Sequence, residues 1–256
     1  MNETTVELTR EERIVKRIDD ALDRMIFIGC LILLFFGGYS LLDSYSVFYH
    51  AADRSLLKIK QNFQNVEEFT IIADDLAGWI TLDDSGVDYP VMQGDSNSEY
   101  LNKDPYGSFS MSGSIFLDTR NAKDFSDSYS LLYGHHMENY AMFGALDKYL
   151  EEDFFNSHES GTLMVGKNTY ALQVFAVVEC DSTVQEMFAP NEGYDQLAYI
   201  QGNHTFYKEP TGDHLISLST CKYPNSTERT IVVASFNAVP INSNSNPSSS
   251  DVKATK

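Results

Sequence analysis

"HLISLSTCKYPNSTERTIVVASF", His214 to Phe236, holds two short apolar runs joined by a seven-residue polar loop, Lys222 to Glu228. Both runs are rich in Leu, Ile, Val, Thr and Ser and are too short for a stable helix, so the reading is two β-strands. Paired antiparallel through the loop, they return Arg229, which opens the second run, to the side of Cys221, which closes the first. A thiol reacts as thiolate, and a nearby cation favours that form, so a cysteine at a partly exposed strand end beside a guanidinium is a candidate nucleophile. Arginine keeps its proton and cannot be the base; its rigid N–H fork suits holding a carbonyl oxygen or an oxyanion.

Upstream, "GWITLD", "VDYPVMQ", "GSIFLD" and "YSLLYGHHM" are further short β-rich runs set between Gly, Asp, Asn and Ser clusters. "AMFGALDKYLEEDFFNSH" shows helical spacing and predicts one helix. "GTLMVGKNTY" and "ALQVFAVVEC" predict two longer strands, with Gly166-Lys167-Asn168 as hairpin turn. "NEGYDQLAYIQGNHTFYKEP" predicts another helix, inserted between strands. The fold class is therefore mainly β with inserted helices. No repeat with a period of roughly 20–50 residues is present.

Composition narrows the function. The 256 residues carry 18 Lys+Arg against 37 Asp+Glu, a net charge of −19, and nucleic acid would need clustered cations, so that partner is excluded. The acidic surface is a solvated one, with no calcium-loop spacing in it. Met25 to Leu42 is 18 residues without a charge, long enough to cross a bilayer with help from its flanks. Arg10, Arg13, Lys16, Arg17 and Arg24 precede it, and Arg54, Lys58 and Lys60 follow, a bias that puts the N-terminus in the cytoplasm. The long charged leader favours an uncleaved anchor over a signal peptide; a buried core helix is the third reading. The boundaries that result are a cytoplasmic tail at 1–24, a transmembrane anchor at 25–42, a helical neck at 43–69, a β-rich domain at 70–238 and a disordered polar tail at 239–256.

Of the three cysteines, Cys30 falls in the apolar span, leaving Cys180 and Cys221 outside. A disulfide between them is possible in an oxidising compartment, but a domain of this size buries a core without one, and Cys180 reads as a core residue. A thiolate also needs a proton carrier, and histidine is nearest neutrality. Of six histidines, His135 and His136 lie where a β run meets Gly134 and turns into a polar loop, a strand end like that of Cys221. A zinc site built on this pair lacks companion ligands at the usual spacing. Tyr133 and Met137 read as packing residues, and "DYPVMQ" and "GSIFLD" as strands and groove floor without chemistry.

Together, "LSTC" with an Arg before "IVVA", "YGHHM…MF", "DYPVMQGDSNSEYL" and "GSIFLD" resemble the sortases, most closely class B, over roughly residues 70–237. The resemblance implies a closed β-barrel of about eight strands, preceded by N-terminal helices and a membrane anchor. It implies Cys221 as nucleophile, His135 as acid/base and Arg229 as the residue that orients substrate and oxyanion, with Ser219 and Thr220 contacting substrate. The helix-bearing insert between Cys180 and His214 resembles the class B insert that helps form the substrate groove. The implied substrate is a secreted protein bearing an LPxTG-like or NPxTx-like sorting signal, cleaved through a thioester and transferred to an amine. That amine is a pilin lysine or a peptidoglycan precursor, and no cofactor or metal is needed. The Cys–Arg gap is shorter than in many class B members and carries Lys222, Tyr223 and Pro224 where some have an acidic residue, so only Glu228, beside the Arg, stands near a third catalytic position. An extracellular cysteine peptidase without transfer, and a non-catalytic anchored binding module, are the alternative readings.

Overall fold

The computed structural model describes residues 10–51, 74–222 and 226–241. Most of the expected neck and nearly all of the expected tail lie outside these, as do Tyr223, Pro224 and Asn225. Two units are distinct in the chain, Met1–Val47 and Phe48–Lys256.

Most of helix α1, Arg10–Ala51, belongs to the first, and it runs unbroken through the charged leader and the apolar stretch. Within Arg10–Leu42 it is long and apolar enough to cross a membrane, and none of that apolar window is buried. Leu33, Leu34 and Phe35 are each more than 70% exposed, which removes the reading of a core helix.

The described residues of the second unit form one nine-stranded sheet with short helices. In chain order its strands are β1 (Leu76–Leu82), β2 (Val87–Met92), β3 (Ile115–Leu117), β4 (Tyr129–Tyr133), β5 (Ser160–Val165), β6 (Asn168–Asp181), β7 (His204–Tyr207), β8 (His214–Cys221) and β9 (Glu228–Phe236). They lie in the order β5-β1-β2-β3-β4-β8-β9-β6-β7, and a β5–β6 pairing closes eight of them into a barrel with β7 riding on β6. Closure leaves the eight without a free edge. All pairings are antiparallel except β2–β3 and β4–β8.

β8 and β9 are apolar on both faces because each face meets a core. Ile216, Leu218, Val232 and Ala234 point into the barrel interior with Leu132, Phe143 and Tyr149. Their neighbours Leu215, Ile231 and Val233 point outward, under Phe175, Met187 and Ile200 of a second core. Each such aliphatic side chain withdrawn from water contributes about 1.5–3 kcal/mol. The outer core is roofed by the segment between β6 and β7, which holds helices α3 (Gln185–Phe188) and α4 (Gln196–Asn203).

Three local expectations are corrected. The single helix over 141–158 is a 3₁₀ stretch, Phe143–Leu150, followed by the short α2, Glu152–Ser157; extended Glu151 separates them. The stretch must fill the barrel end with Phe143, Leu146 and Tyr149, and burial overrides helical spacing. The stretch 191–210 does carry a helix, α4, but its "HTFY" is strand β7, and a further short helix, α3, precedes the stretch. The hairpin turn is Gly166-Lys167 alone, with Val165 facing Asn168 and Gly166 at φ +55, so "NTY" belongs to β6 and that strand reaches 14 residues.

Candidate active site

Cys221 sits opposite Arg229 in the β8–β9 register, and Cys180 of β6 sits opposite the same arginine from the other side. Directly paired residues share a face, so the row Cys180–Arg229–Cys221 lies on one side of the sheet. Two strand spacings separate the sulfurs' backbones by about 10 Å, beyond disulfide reach, and both cysteines are free. The two thiols differ in setting. Cys180 is half-buried against the outer core. Burial pushes it up to about 11, with Asp181 adding to the rise and Arg229 opposing it, so it stays protonated at neutral pH. Cys221 instead lines a cleft of about 480 Å³.

The same cleft is lined by His135, Ser219, Thr220 and Arg229. A specific tie brings the histidine there. β4 runs parallel to β8, with Tyr133 beside Ser219, so both strands end at the same pole. Beyond the last ladder pair, Gly134 N–H donates to the Ser219 carbonyl (3.1 Å), and the Thr220 hydroxyl donates to the Gly134 carbonyl (2.9 Å). The residue before His135 is thereby fastened to the two residues before Cys221. Gly134 has no room for a side chain: a Cβ would come within 2.5–2.6 Å of Ile115 and Phe143.

His135 Nε2–H donates to the Leu101 carbonyl at 2.7 Å, which sets the tautomer and leaves Nδ1 as the basic nitrogen of the neutral ring. Phe143 N–H donates to the His135 carbonyl at 3.1 Å. His136 turns elsewhere, to Asp147 at 2.7 Å. Arg229 Nη1 donates to the carbonyls of Ser226 (2.5 Å) and Glu228 (3.2 Å), anchoring the guanidinium to its own loop. Glu228 is exposed and lies 3.7 Å from Lys222. Asp181, beside Arg229, is held down to about 2 by Thr227 and Thr183. Ser219 is 2% exposed, and its hydroxyl has no hydrogen-bond partner among the described residues.

Several cleft residues were given no chemistry by their sequence patterns. Asn97, Leu101, Phe116 and Tyr133 form the barrel-side wall; Ser182, Gln185 and Phe188 come from the insert; Arg120 lies between. Asp118, at the end of "GSIFLD", is wholly buried and accepts from Arg120 Nε and Nη2, Tyr133 and Asn97, all at 2.9 Å. Burial alone would raise Asp118, but these bonds outweigh it and hold the carboxyl below the usual carboxylate range. Tyr133 is thus more than packing. The only trace in sequence was a D-x-R at a strand end, which is too common to single out.

Residues 80–237 match the sortase domain. The chain is 33% identical over 162 residues to sortase B of Listeria monocytogenes, covering 60% of this chain and 66% of that protein's length. It is 31% identical over 185 residues to sortase B of Staphylococcus aureus, covering 69% of this chain and 75% of that protein. The crystal structure of a Streptococcus pyogenes class B sortase involved in pilus biogenesis superposes with a TM-score of 0.60 at 33% identity, covering 68% of this chain and 99% of that one. The S. aureus sortase B crystal structure superposes with a TM-score of 0.63 at 28% identity, covering 73% and 98%. The chain belongs to the sortase family. The relatives just given are sortase B or class B enzymes, and the two solved structures share its fold.

The Gly134 tie gives a first prediction. Thr220→Val keeps the shape and loses the donor, leaving the half-buried Gly134 carbonyl one bond short. Stability should fall by about 0.5–1.5 kcal/mol, read by thermal unfolding, while Thr220→Ser stays near the parent.

Proposed function

We propose that the chain is a membrane-anchored cysteine transpeptidase acting on the sorting signals of secreted proteins. The observation that supports this most is the convergence of Cys221, His135 and Arg229 on one cleft, with the histidine loop fastened to the nucleophile strand through Gly134. The Cys221 thiolate attacks the scissile carbonyl of an LPxTG-like or NPxTx-like signal, and Arg229 N–H donors beyond those bound to its loop hold the developing oxyanion. As the C–N bond breaks, protonated His135, steadied through Nε2 by Leu101, gives a proton to the leaving amine, and a thioester remains. An incoming amine attacks the thioester and loses its proton to the imidazole, and the C–S bond breaks to restore the thiolate. Ser219, which lines the cleft, contacts the bound signal, and Thr220 positions the histidine loop. The acceptor is a pilin lysine, as the likeness to the pilus-related S. pyogenes enzyme supports, or a peptidoglycan precursor.

In this reading the domain at 70–238 lies outside the cell. The apolar part of α1 is a single membrane span, and residues 1–24 are cytoplasmic, in line with the five-to-three excess of Lys and Arg before the span.

The test uses the full chain in detergent with fluorogenic signal peptides, either alone or with a lysine-bearing peptide or an oligopeptide of the wall-precursor kind. Cleavage with a ligated product is expected, and the better acceptor separates the two amine classes. Arg229→Lys should lower kcat/KM by about 10²–10³-fold, because a point charge cannot replace the fork. Hydrolysis alone with both acceptors would make the protein a peptidase; full turnover in His135→Ala would end the proposal.

A further inference from the structure

The two walls of the cleft belong to different parts of the chain, and the ion pair Asp118–Arg120 is bonded to the insert wall. The guanidinium grips the buried carboxylate through Nε and Nη2. It also donates through Nη2 to the Phe188 carbonyl at 2.5 Å and through Nη1 to Glu192 at 2.9 Å, both on the insert. Asn191, between these two, donates to the Arg120 carbonyl (3.0 Å) and to Asp127 (2.9 Å), and Tyr129 O–H donates to the Met187 carbonyl (2.8 Å). Apart from the grip on Asp118, each of these bonds joins the segment 187–192 to the β3–β4 side of the barrel. On the opposite wall, Asp118 accepts from Asn97, four residues before the Leu101 whose carbonyl holds His135.

We propose that Arg120 is a positioning residue for the substrate groove, a latch that holds the insert wall at the distance the sorting signal requires. Four of its five N–H donors are engaged, so it serves as a fastener and not as a free cation for a substrate carboxylate. The bonds to Asp118 are charge-assisted and partly shielded, the bond to the Phe188 carbonyl is charge-assisted but exposed, and Glu192 is 49% exposed, which makes its pair with Arg120 the weaker link. The side-chain bonds of Arg120 run to Asp118, Phe188 and Glu192 and not to Cys221 or His135, so a groove displaced on one side loses substrate contacts without altering the reacting groups. The loss therefore belongs to binding.

The inference rests on the transpeptidase reading, and the experiment separates the two. Arg120→Gln and Glu192→Gln are made in the full chain and assayed with the fluorogenic LPxTG and NPxTx peptides. The alkylation rate of Cys221 by iodoacetamide and hydrogen exchange across 185–203 are measured on the same samples. For Arg120→Gln, KM should rise about five- to tenfold with kcat within about twofold, and Glu192→Gln should give a smaller shift in the same direction. Exchange across 185–203 should quicken, while Cys221 alkylates at the parental rate. Parental KM and parental exchange in Arg120→Gln, with a parent that cleaves the peptide, would overturn the latch alone. A fall in kcat with altered alkylation would also overturn it, since the residue would then act on the reacting groups. A parent without turnover would sink the transpeptidase reading, and the latch with it. If Arg120→Gln does not fold, Arg120→Lys, which keeps the charge and loses the fork, is expected to show the same KM rise, and a parental KM there would overturn the proposal.

Discussion

Cys221→Ala is expected to lower turnover of a sorting-signal peptide by about 10⁴-fold or more, because no other group can form the thioester. Cys180→Ala should keep parental kcat. The contrast follows from two thiols that flank the same arginine on one sheet face yet sit in different surroundings. With the Cys180 thiol held up to about 11, roughly one molecule in ten thousand carries its thiolate at pH 7, so iodoacetamide should modify Cys221 first. Peptide mapping after limited alkylation checks this directly. Preferential labelling of Cys180, or turnover surviving in Cys221→Ala, would show that the nucleophile is misassigned.

Gly144→Ala is expected to be the most damaging single methyl in the domain. Its Cβ would stand 2.0 Å from the Met137 carbonyl oxygen, a backbone atom that cannot turn aside. Overpacking of this kind costs about 3 kcal/mol, at the upper end of the usual range. At about 2–4 °C per kcal/mol for a domain of this size, Tm should fall by roughly 6–12 °C. Activity should fall further than stability alone explains, because Met137 is two residues past His135 and Phe143 N–H holds the His135 carbonyl. Gly202→Ala, in α4 with open space around it, is the control and should be neutral or slightly stabilising. Equal Tm for the two variants would contradict the close approach.

The parts of the fold that could be read from sequence are those in which one residue type carries one meaning. β8 and β9 announced themselves through β-branched runs broken by a loop, and the Cys–Arg register followed from counting across it. His135 was legible because a glycine-terminated strand end put it at the same pole. What escaped was set by tertiary demand. The stretch Phe143–Leu150 has helical spacing, yet it must pass within backbone contact of Met137 and plug the barrel, and it winds as 3₁₀. β7 is only four residues long and pairs with the outer flank of β6, so its pattern is too brief to separate from the helix before it. Asp118 and Arg120 looked like the polar end of a strand. Their importance lies in partners 68 and 72 residues away, at Phe188 and Glu192, which no local pattern encodes.

The position of β9 has a consequence for how the molecule comes into being. Among the described residues it is the last strand in chain order, yet it lies in the middle of the sheet between β8 and β6, and it supplies Arg229. A chain emerging from its N-terminus therefore leaves β6 and β8 with bare edges until residues 228–236 arrive. Premature termination just upstream would yield an open, sticky sheet in place of a weakened domain, and Cys221 gains its neighbouring cation only once residue 229 is in place.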